Sequence, residues 1–146
     1  MDVESACLGA ALQDPECLED LVNYARSAWF SDATNQRIFD IISEFVSSGK
    51  PVDAITIQSH NPLTADRCAT LASYGFSKSA MGAYLDALRK AYMVRRVTEI
   101  GNDIPHRAFL AKDADELVSG LADDLIALGS DRPGSTILGA REAAEL

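Results

Sequence analysis

A helical period that extends from Ser79 to Ile104 constrains the fold of this chain more than any other feature. Large apolar residues recur in it at steps of mostly three or four: Met81, Tyr84, Leu85, Leu88, Tyr92, Val94, Val97, Ile100 and Ile104. Such steps place side chains on one face of an α-helix. The pattern therefore predicts one long amphipathic helix. We expect it to end near Pro105, because proline lacks a backbone donor and clashes with the preceding turn.

A second periodic stretch follows and predicts a partner for this helix. Its apolar residues are Leu117, Val118, Leu121, Leu125 and Leu128. Asp113 and Glu116 have the spacing of a capping box, with aspartate in place of the usual serine or threonine. Two long helices joined by a short segment fold back as an antiparallel hairpin. We predict that this hairpin spans residues 77–128 and is the functional part of the chain.

Residues 1–76 predict a small globular helical subdomain, which begins with two short helices. The first is expected from Val3 to Leu12, with Asp2 as its cap. The second follows Asp14-Pro15-Glu16, which combines a cap, a proline at the first helical position and an acidic first turn. Trp29 and Phe30 come next in a connector, where we expect them to pack over the end of the core.

The third predicted helix carries the broadest apolar stripe of the subdomain. We expect Ser31 or Asp32 to cap it, and Gly49 to end it in the left-handed conformation that glycine adopts readily. Its stripe consists of Ile38, Phe39, Ile41, Ile42, Phe45 and Val46. On this pattern the third helix should form the centre of the subdomain core.

Two more short helices complete the predicted subdomain. Asp53 is expected to cap the fourth, which ends before Asn61-Pro62; a strand through Ala54 to Ile57 is the alternative, although no partner strand is evident. The fifth begins at Thr64 or Asp66, with Cys68, Leu71 and Ala72 facing inward. The segment from Tyr74 to Phe76 should break it, and Ser77 or Ser79 should cap the long helix that follows.

The composition fits a globular protein without a membrane span. Hydrophobic residues make up 47% of the 146 positions and charged residues 24%, as in ordinary soluble domains. No apolar stretch approaches the roughly 20 residues that a transmembrane helix needs. The acidic N-terminus lacks the basic region of a secretory signal. We therefore expect a cytoplasmic protein.

Motifs that carry chemistry are missing from the sequence. It contains no phosphate-binding loop, dinucleotide fingerprint, zinc-protease motif or nucleophile elbow. Three cysteines (Cys7, Cys17 and Cys68) without CxxC spacing predict buried free thiols, and the two histidines have no spacing typical of a zinc site. We predict no catalytic residue, no cofactor and no metal for this chain.

The negative charge is unevenly distributed along the chain. The formal net charge is −9, yet residues 78–109 hold six Lys or Arg against three Asp or Glu. The first helix of the hairpin is thus the one basic segment of an acidic chain. An acidic total argues against a dedicated nucleic-acid-binding module, whose affinity comes from neutralising phosphates.

The last predicted region, residues 129–146, is a linker followed by a short amphipathic helix. GSDRPGS has the glycine, proline and polar content of a linker. A helix as short as the one expected from Thr136 to Leu146 is marginal by itself, so it should dock on a partner. The residues predicted for that docking are Ile137, Leu138 and Leu146.

Several segments of the chain follow one another in a characteristic order: ESACLGAAL (4–12), DPE (14–16), Phe30 with NQRIF (35–39), GKPVDAITI (49–57), Tyr84-Leu85 and MVRRV (93–97). In these segments and their order the chain resembles the N-terminal domain of DnaB-type replicative helicases of bacteria or phages. GKPVD after an IFxxI helix is the most specific match, and the sequence departs from the family between Ile57 and Tyr84.

The resemblance implies an all-α fold: a small globular helical bundle, an antiparallel helical hairpin and a C-terminal linker helix. It further implies that hairpins of neighbouring subunits pair, giving a dimer and, as a trimer of dimers, the collar of a hexameric ring that docks primase or a helicase loader. ATP and magnesium would belong to a motor domain beyond the linker, which this chain lacks. DNA would be contacted only indirectly, and no membrane would be involved.

The predicted contact residues lie on the first hairpin helix and combine tyrosine, arginine and apolar side chains, which are typical of protein interfaces. They are Tyr84, Leu88, Arg89, Tyr92, Met93, Arg95 and Arg96. One alternative is that the tyrosines fill the seam of the hairpin and the arginines are solvated. Two alternative functions are a free-standing helicase-like adaptor, loader or inhibitor of phage or plasmid origin, and a weak single-stranded DNA-binding module.

Overall fold

The computed structural model describes residues 2–130, and every regular element in this range is helical. The predicted all-α fold is therefore confirmed. No helix among these residues is long and apolar enough to span a bilayer. The α-helices are α1 (Val3–Gln13), α2 (Pro15–Tyr24), α3 (Ala33–Ser47), α4 (Ala54–His60), α5 (Ala65–Ala72), α6 (Met81–Leu110) and α7 (Ala114–Ser130). Single 3-10 turns occur at Ser27–Trp29, Pro62–Thr64 and Lys78–Ala80.

The chain divides into two compact units, Met1–Arg89 and Lys90–Leu146, and the division falls within α6. The first unit contains α1 to α5 with the start of α6, and the second contains the rest of α6 with α7. The predicted subdomain limits at residues 76 and 128 remain predictions. The predicted linker helix, with Ile137, Leu138 and Leu146, falls outside the described residues.

Helix α1 is the centre of the first unit because it is buried on all sides from Ala6 to Leu12. It packs against α2, α3 and α5. A Cβ atom on Gly9 would lie 3.0 Å from the Cβ of Tyr74 and 3.2 Å from the carbonyl oxygen of Leu71. The prediction that α3 forms the centre is wrong: small residues let neighbouring helices surround α1, whereas α3 keeps one face in solvent, with Val46 exposed.

Most of the predicted helix ends are confirmed. In the first unit, the caps are Asp2, whose carboxylate accepts from the Glu4 N–H, and Asp32, which accepts from Asn35. Asp53 forms a full capping box with Thr56, which settles the helix over the alternative strand. Gly49 has a φ of 70°, and the N–H of Lys50 donates to the Phe45 carbonyl at 2.8 Å in a Schellman motif.

Asp14 precedes α2 as predicted, but its carboxylate forms no capping hydrogen bond. It lies instead 3.5 Å from the Nζ atom of Lys78, which is also 3.3 Å from the Glu16 carboxylate. The cation of Lys78 offers Asp14 a charged partner in place of the backbone N–H. Two acids at the start of α2 are thereby joined to the segment that leads into α6.

Helix α6 does not end at Pro105, and that prediction is wrong. It begins at Met81, after the 3-10 turn of Lys78–Ala80 and without a side-chain cap from Ser77, and it continues to Leu110. The carbonyl that Pro105 leaves unpaired belongs to Gly101, four residues earlier. Gly101 is exposed, so water can hydrate this carbonyl, and its missing side chain leaves room for the backbone to adjust.

The remaining inward-facing residues follow the predictions with one exception. Trp29 and Phe30 are buried, as are Cys68 and Leu71 on α5, whereas Ala72 is exposed because α5 ends there. All three cysteines are buried free thiols, as predicted. Burial raises the pKa of Cys7 to about 12 and that of Cys17 to about 11, so neither provides a reactive thiolate near neutral pH.

Candidate protein-interaction surface

The start of α6 is anchored in the first unit by apolar side chains. Met81, Leu85 and Leu88 are buried, and Leu88 is only 1% exposed. A side chain this deeply buried offers no surface to a partner, so Leu88 belongs to the core rather than to a contact. Tyr84 is partly exposed, and its hydroxyl accepts from the Ser77 N–H at 3.0 Å. This bond holds the aromatic ring over the turn that begins the helix.

The basic residues of α6 are largely compensated by local partners. Within the first unit, Arg89 donates to Asp86 at 3.1 Å. Within the second, Arg96 is paired with Glu99, and this hydrogen bond raises the pKa of the guanidinium above its ordinary value. These carboxylates lie three residues from their arginines on the same helix, so much of the local positive charge is neutralised. The weak DNA-binding alternative loses support as a result.

Tyr92 and Arg95 form an amphipathic pair in the second unit. The guanidinium carbon of Arg95 lies 5.5 Å from the centroid of the Tyr92 ring, within the range of a cation–π contact. Both side chains are partly exposed, as are Met93 and Arg96. The structure therefore leaves Tyr92, Met93, Arg95 and Arg96 accessible on the second unit. Their role in a contact stays a prediction.

Large exposed apolar side chains are the main feature of the second unit. Among its described residues, Ile100 and Leu128 are the buried apolar side chains, each 8% exposed. Eight others are between 39% and 86% exposed: Val94, Val97, Ile104, Phe109, Leu110, Val118, Leu125 and Ile126. The two helices of this unit thus expose about half of the apolar residues that the periodicity places on them, together with Phe109, Leu110 and Ile126.

These side chains lie on defined faces of the two helices. Val94, Val97 and Ile104 are three and seven residues apart and share one face of α6. Val118 and Leu125, seven residues apart, share one face of α7. We define these five, with the neighbouring Ile126, as the hairpin apolar surface. Both helices of the hairpin contribute to it.

An ion pair links α6 to α7 within the second unit. Only three residues separate the helices, and Arg107 Nη1 lies 2.6 Å from Asp124 Oδ2. A Cβ on Gly120 would lie 3.1 Å from the Arg107 guanidinium, so the glycine leaves room for the Arg107 side chain to cross α7. The predicted helical hairpin is present. Its two helices are joined by this ion pair, and few of their apolar side chains are buried.

Three exposed residues escaped the sequence analysis: Phe109, Leu110 and Ile126. Phe109 and Leu110 follow Pro105, where the helix was expected to have ended, and Ile126 lies beside the periodic Leu125 rather than on its repeat. The exposure of Phe109 and Leu110 could have been predicted from the sequence, because a short turn between two helices provides no core in which two adjacent large apolar side chains can be buried. Within residues 2–130, no group of three or more His, Cys, Asp or Glu side chains is arranged to hold a metal ion.

Comparison with known proteins gives the fold and the family. The structure is similar to the crystal structure of the N-terminal domain of DnaB helicase from Mycobacterium tuberculosis, with a TM-score of 0.75 and 21% identity over 86% of this chain and 94% of that chain. A search of curated protein sequences gave no match. The model of the DnaB-like helicase N-terminal domain matches residues 1–90, which is more than half of the chain. The chain therefore belongs to the DnaB-like helicase N-terminal domain family.

Proposed function

We propose that this chain is the collar domain of a DnaB-like hexameric replicative helicase and that its hairpin carries a subunit contact. The observation that supports this proposal is the hairpin apolar surface. Fully burying one valine, leucine, isoleucine or phenylalanine side chain contributes about 1.5–3 kcal/mol. Six exposed side chains of this kind on a two-helix unit are more than a monomer needs, and such patches mark interaction sites.

A second copy of the chain is the partner that best fits this surface. Association costs about 4–15 kcal/mol in lost translational and rotational freedom. In a two-fold contact each apolar residue occurs twice, so a few side chains per copy are enough to exceed that cost. Tyr92 with Arg95, Met93 and Arg96 would border such a contact, as polar and aromatic rims do in known interfaces.

Further parts of the proposal follow from the family rather than from the contacts within this chain. Dimers would assemble up to a hexamer in the cytoplasm, and the collar would dock primase or a helicase loader during DNA replication. Ile137, Leu138 and Leu146 would dock a linker helix on the motor domain of a neighbouring subunit. That motor domain would bind ATP and magnesium, so the chain by itself would have no helicase activity and would contact DNA only indirectly.

Size-exclusion chromatography with light scattering tests the proposed self-association. We expect the molar mass measured for the full chain to rise with protein concentration, until it reaches that of a dimer or a larger assembly. Moderate salt should leave the assembly intact, because burial of apolar surface depends little on ionic screening. A monomer at all concentrations would contradict the proposal.

A further inference from the structure

A separate surface of the first unit surrounds Phe45 near the end of α3. It is an open cleft of about 410 Å³, lined by Phe45, Lys50, Pro51, Ile55 and His60 together with two hydroxyl side chains. Phe45 is buried, whereas Ile55 is 69% exposed and Pro51 is exposed as well. The cleft thus offers an accessible aliphatic wall. We call this the Phe45 cleft.

Two nitrogen-bearing side chains converge on the Phe45 ring. Lys50 Nζ lies 5.3 Å from the ring centroid, and the His60 ring meets Phe45 edge-on at 5.1 Å between centroids. Neither side chain forms an ion pair with a carboxylate within residues 2–130. The nearby Asp53 carboxylate is engaged by the Thr56 N–H as the cap of α4. Lys50 therefore remains available to an acidic group from outside.

A second cleft adjoins the first, because Lys50 and Pro51 line both. This second cleft measures about 470 Å³ and lies between the α1–α2 turn and the end of α3. Val46, which is 40% exposed, and Pro15 contribute apolar walls. A chain segment that crosses from one cleft to the other must therefore pass Lys50.

The charge at the Phe45 cleft favours an acidic occupant. Residues 1–89 as a whole hold twelve Asp or Glu against six Lys or Arg, but the lining of this cleft contains Lys50 and no carboxylate. Of the other basic side chains, Arg67 is paired with Asp32 and Lys78 with Asp14 and Glu16. A cation beside exposed aliphatic side chains matches a segment that carries a carboxylate next to an aliphatic residue.

We infer that the Phe45 cleft binds an acidic segment of a partner protein. An aliphatic side chain of that segment lies against Ile55 and Pro51, and a neighbouring carboxylate binds the Lys50 ammonium. Pockets for alternate side chains give specificity in the recognition of extended segments, and basic side chains recognise acidic motifs. The inference uses residues of the first unit alone, so it stands independently of the proposed hairpin contact.

Fluorescence anisotropy with the full chain tests this inference. The probe is a labelled synthetic peptide in which leucine residues are flanked by glutamates, compared with a peptide that has lysines in place of the glutamates. We expect the acidic peptide to bind and the basic one not to bind. Lys50→Glu should weaken binding by about tenfold or more, as expected for loss of a charge-assisted contact. Ile55→Ser should weaken it by about threefold to tenfold.

Matched variants in the same unit separate specific from general effects. Arg37→Glu changes the net charge as Lys50→Glu does, and Leu63→Ser removes an exposed apolar side chain as Ile55→Ser does. Circular dichroism verifies that all four variants are folded. Equal weakening by Lys50→Glu and Arg37→Glu, or unchanged binding in both Lys50→Glu and Ile55→Ser, would overturn the inference.

Two other occupants give distinct results. Competition by an unlabelled peptide of residues 131–146 would show that the cleft receives a segment of this same chain. Amide chemical shifts of Lys50 and Ile55 that change on dilution would show that it receives a second copy. Either result would overturn a partner protein as the occupant. A chain that binds the acidic peptide as expected but does not self-associate would contradict only the proposed hairpin contact, and this inference would stand.

Discussion

Replacing Glu4 with glutamine should lower the free energy of unfolding by about 2 kcal/mol, a large effect for a single side chain on α1. Glu4 is 8% exposed, and its carboxylate binds the start of α3. It accepts from the Ser31 N–H at 3.0 Å, from the Ser31 hydroxyl at 2.6 Å, from the Asp32 N–H at 3.4 Å and from Asn35 Nδ2 at 3.1 Å. An amide has a single acceptor oxygen and places an NH2 group against some of these donors.

Urea denaturation near neutral pH measures this effect. Glu44→Gln is the matched control, because Glu44 is exposed on α3. The control should change the free energy of unfolding by less than about 0.5 kcal/mol. Equal effects of the two substitutions would contradict a stabilising role of the Glu4 network.

The contribution of Glu4 should also depend on pH. Burial alone would raise the pKa of Glu4, but the hydrogen bonds from Ser31, Asn35 and Asp32 outweigh burial and lower this pKa below its ordinary value of 4.5. The folded state therefore releases the proton more readily than the unfolded chain does. The stabilisation is fully present above pH 4.5 and is lost as the pH falls through the lowered pKa. The difference between wild type and Glu4→Gln should shrink across that range; a constant difference would contradict this account.

The double substitution Val94→Glu/Val118→Glu should abolish self-association of the chain. Val94 is 67% exposed and Val118 is 65% exposed, so neither supports the fold of the monomer, and glutamate is a better helix former than valine. A two-fold contact would receive four carboxylates without partners. We expect the dissociation constant to rise by at least about 100-fold, which corresponds to about 2.7 kcal/mol.

Sedimentation velocity across a concentration series measures that change. The control is Ile55→Glu/Leu63→Glu, which adds the same charge to two exposed apolar positions of the first unit. It should leave the dissociation constant within about threefold of wild type, since these positions are not part of the hairpin apolar surface and exposed charges outside a contact have small effects. Dissociation by the control and not by the hairpin variant would place the contact on the first unit.

Local chemistry explains which parts of the fold were predictable from sequence. Helix ends are specified by residues that lie close together in the sequence, and the structure contains two that were predicted in this way. Asp53 with Thr56 begins α4, and Gly49, two residues before Pro51, ends α3. The apolar stripe of α3 was equally clear. The central position of α1 was harder to predict, because it depends on how closely Tyr74 and Leu71, which are distant in sequence, approach Gly9.

The candidate surfaces were harder to predict for the same reason. Periodicity finds the apolar face of α6 and α7 but does not reveal whether a neighbouring helix or a partner covers it. Pro105 was expected to end α6, which hid the exposure of Phe109 and Leu110. The Phe45 cleft joins residues from α3, the following turn and the end of α4, which no local motif connects.

Hydrogen exchange of the wild-type chain at concentrations above and below its dissociation constant tests the central claim most directly. Association through the hairpin apolar surface should slow amide exchange in the segment from Val94 to Ile126, because covering the exposed apolar faces stabilises both helices. Exchange in α1 to α5 should stay the same. Slower exchange in α1 to α5 with no change in the hairpin segment would contradict the claim that this hairpin carries the subunit contact.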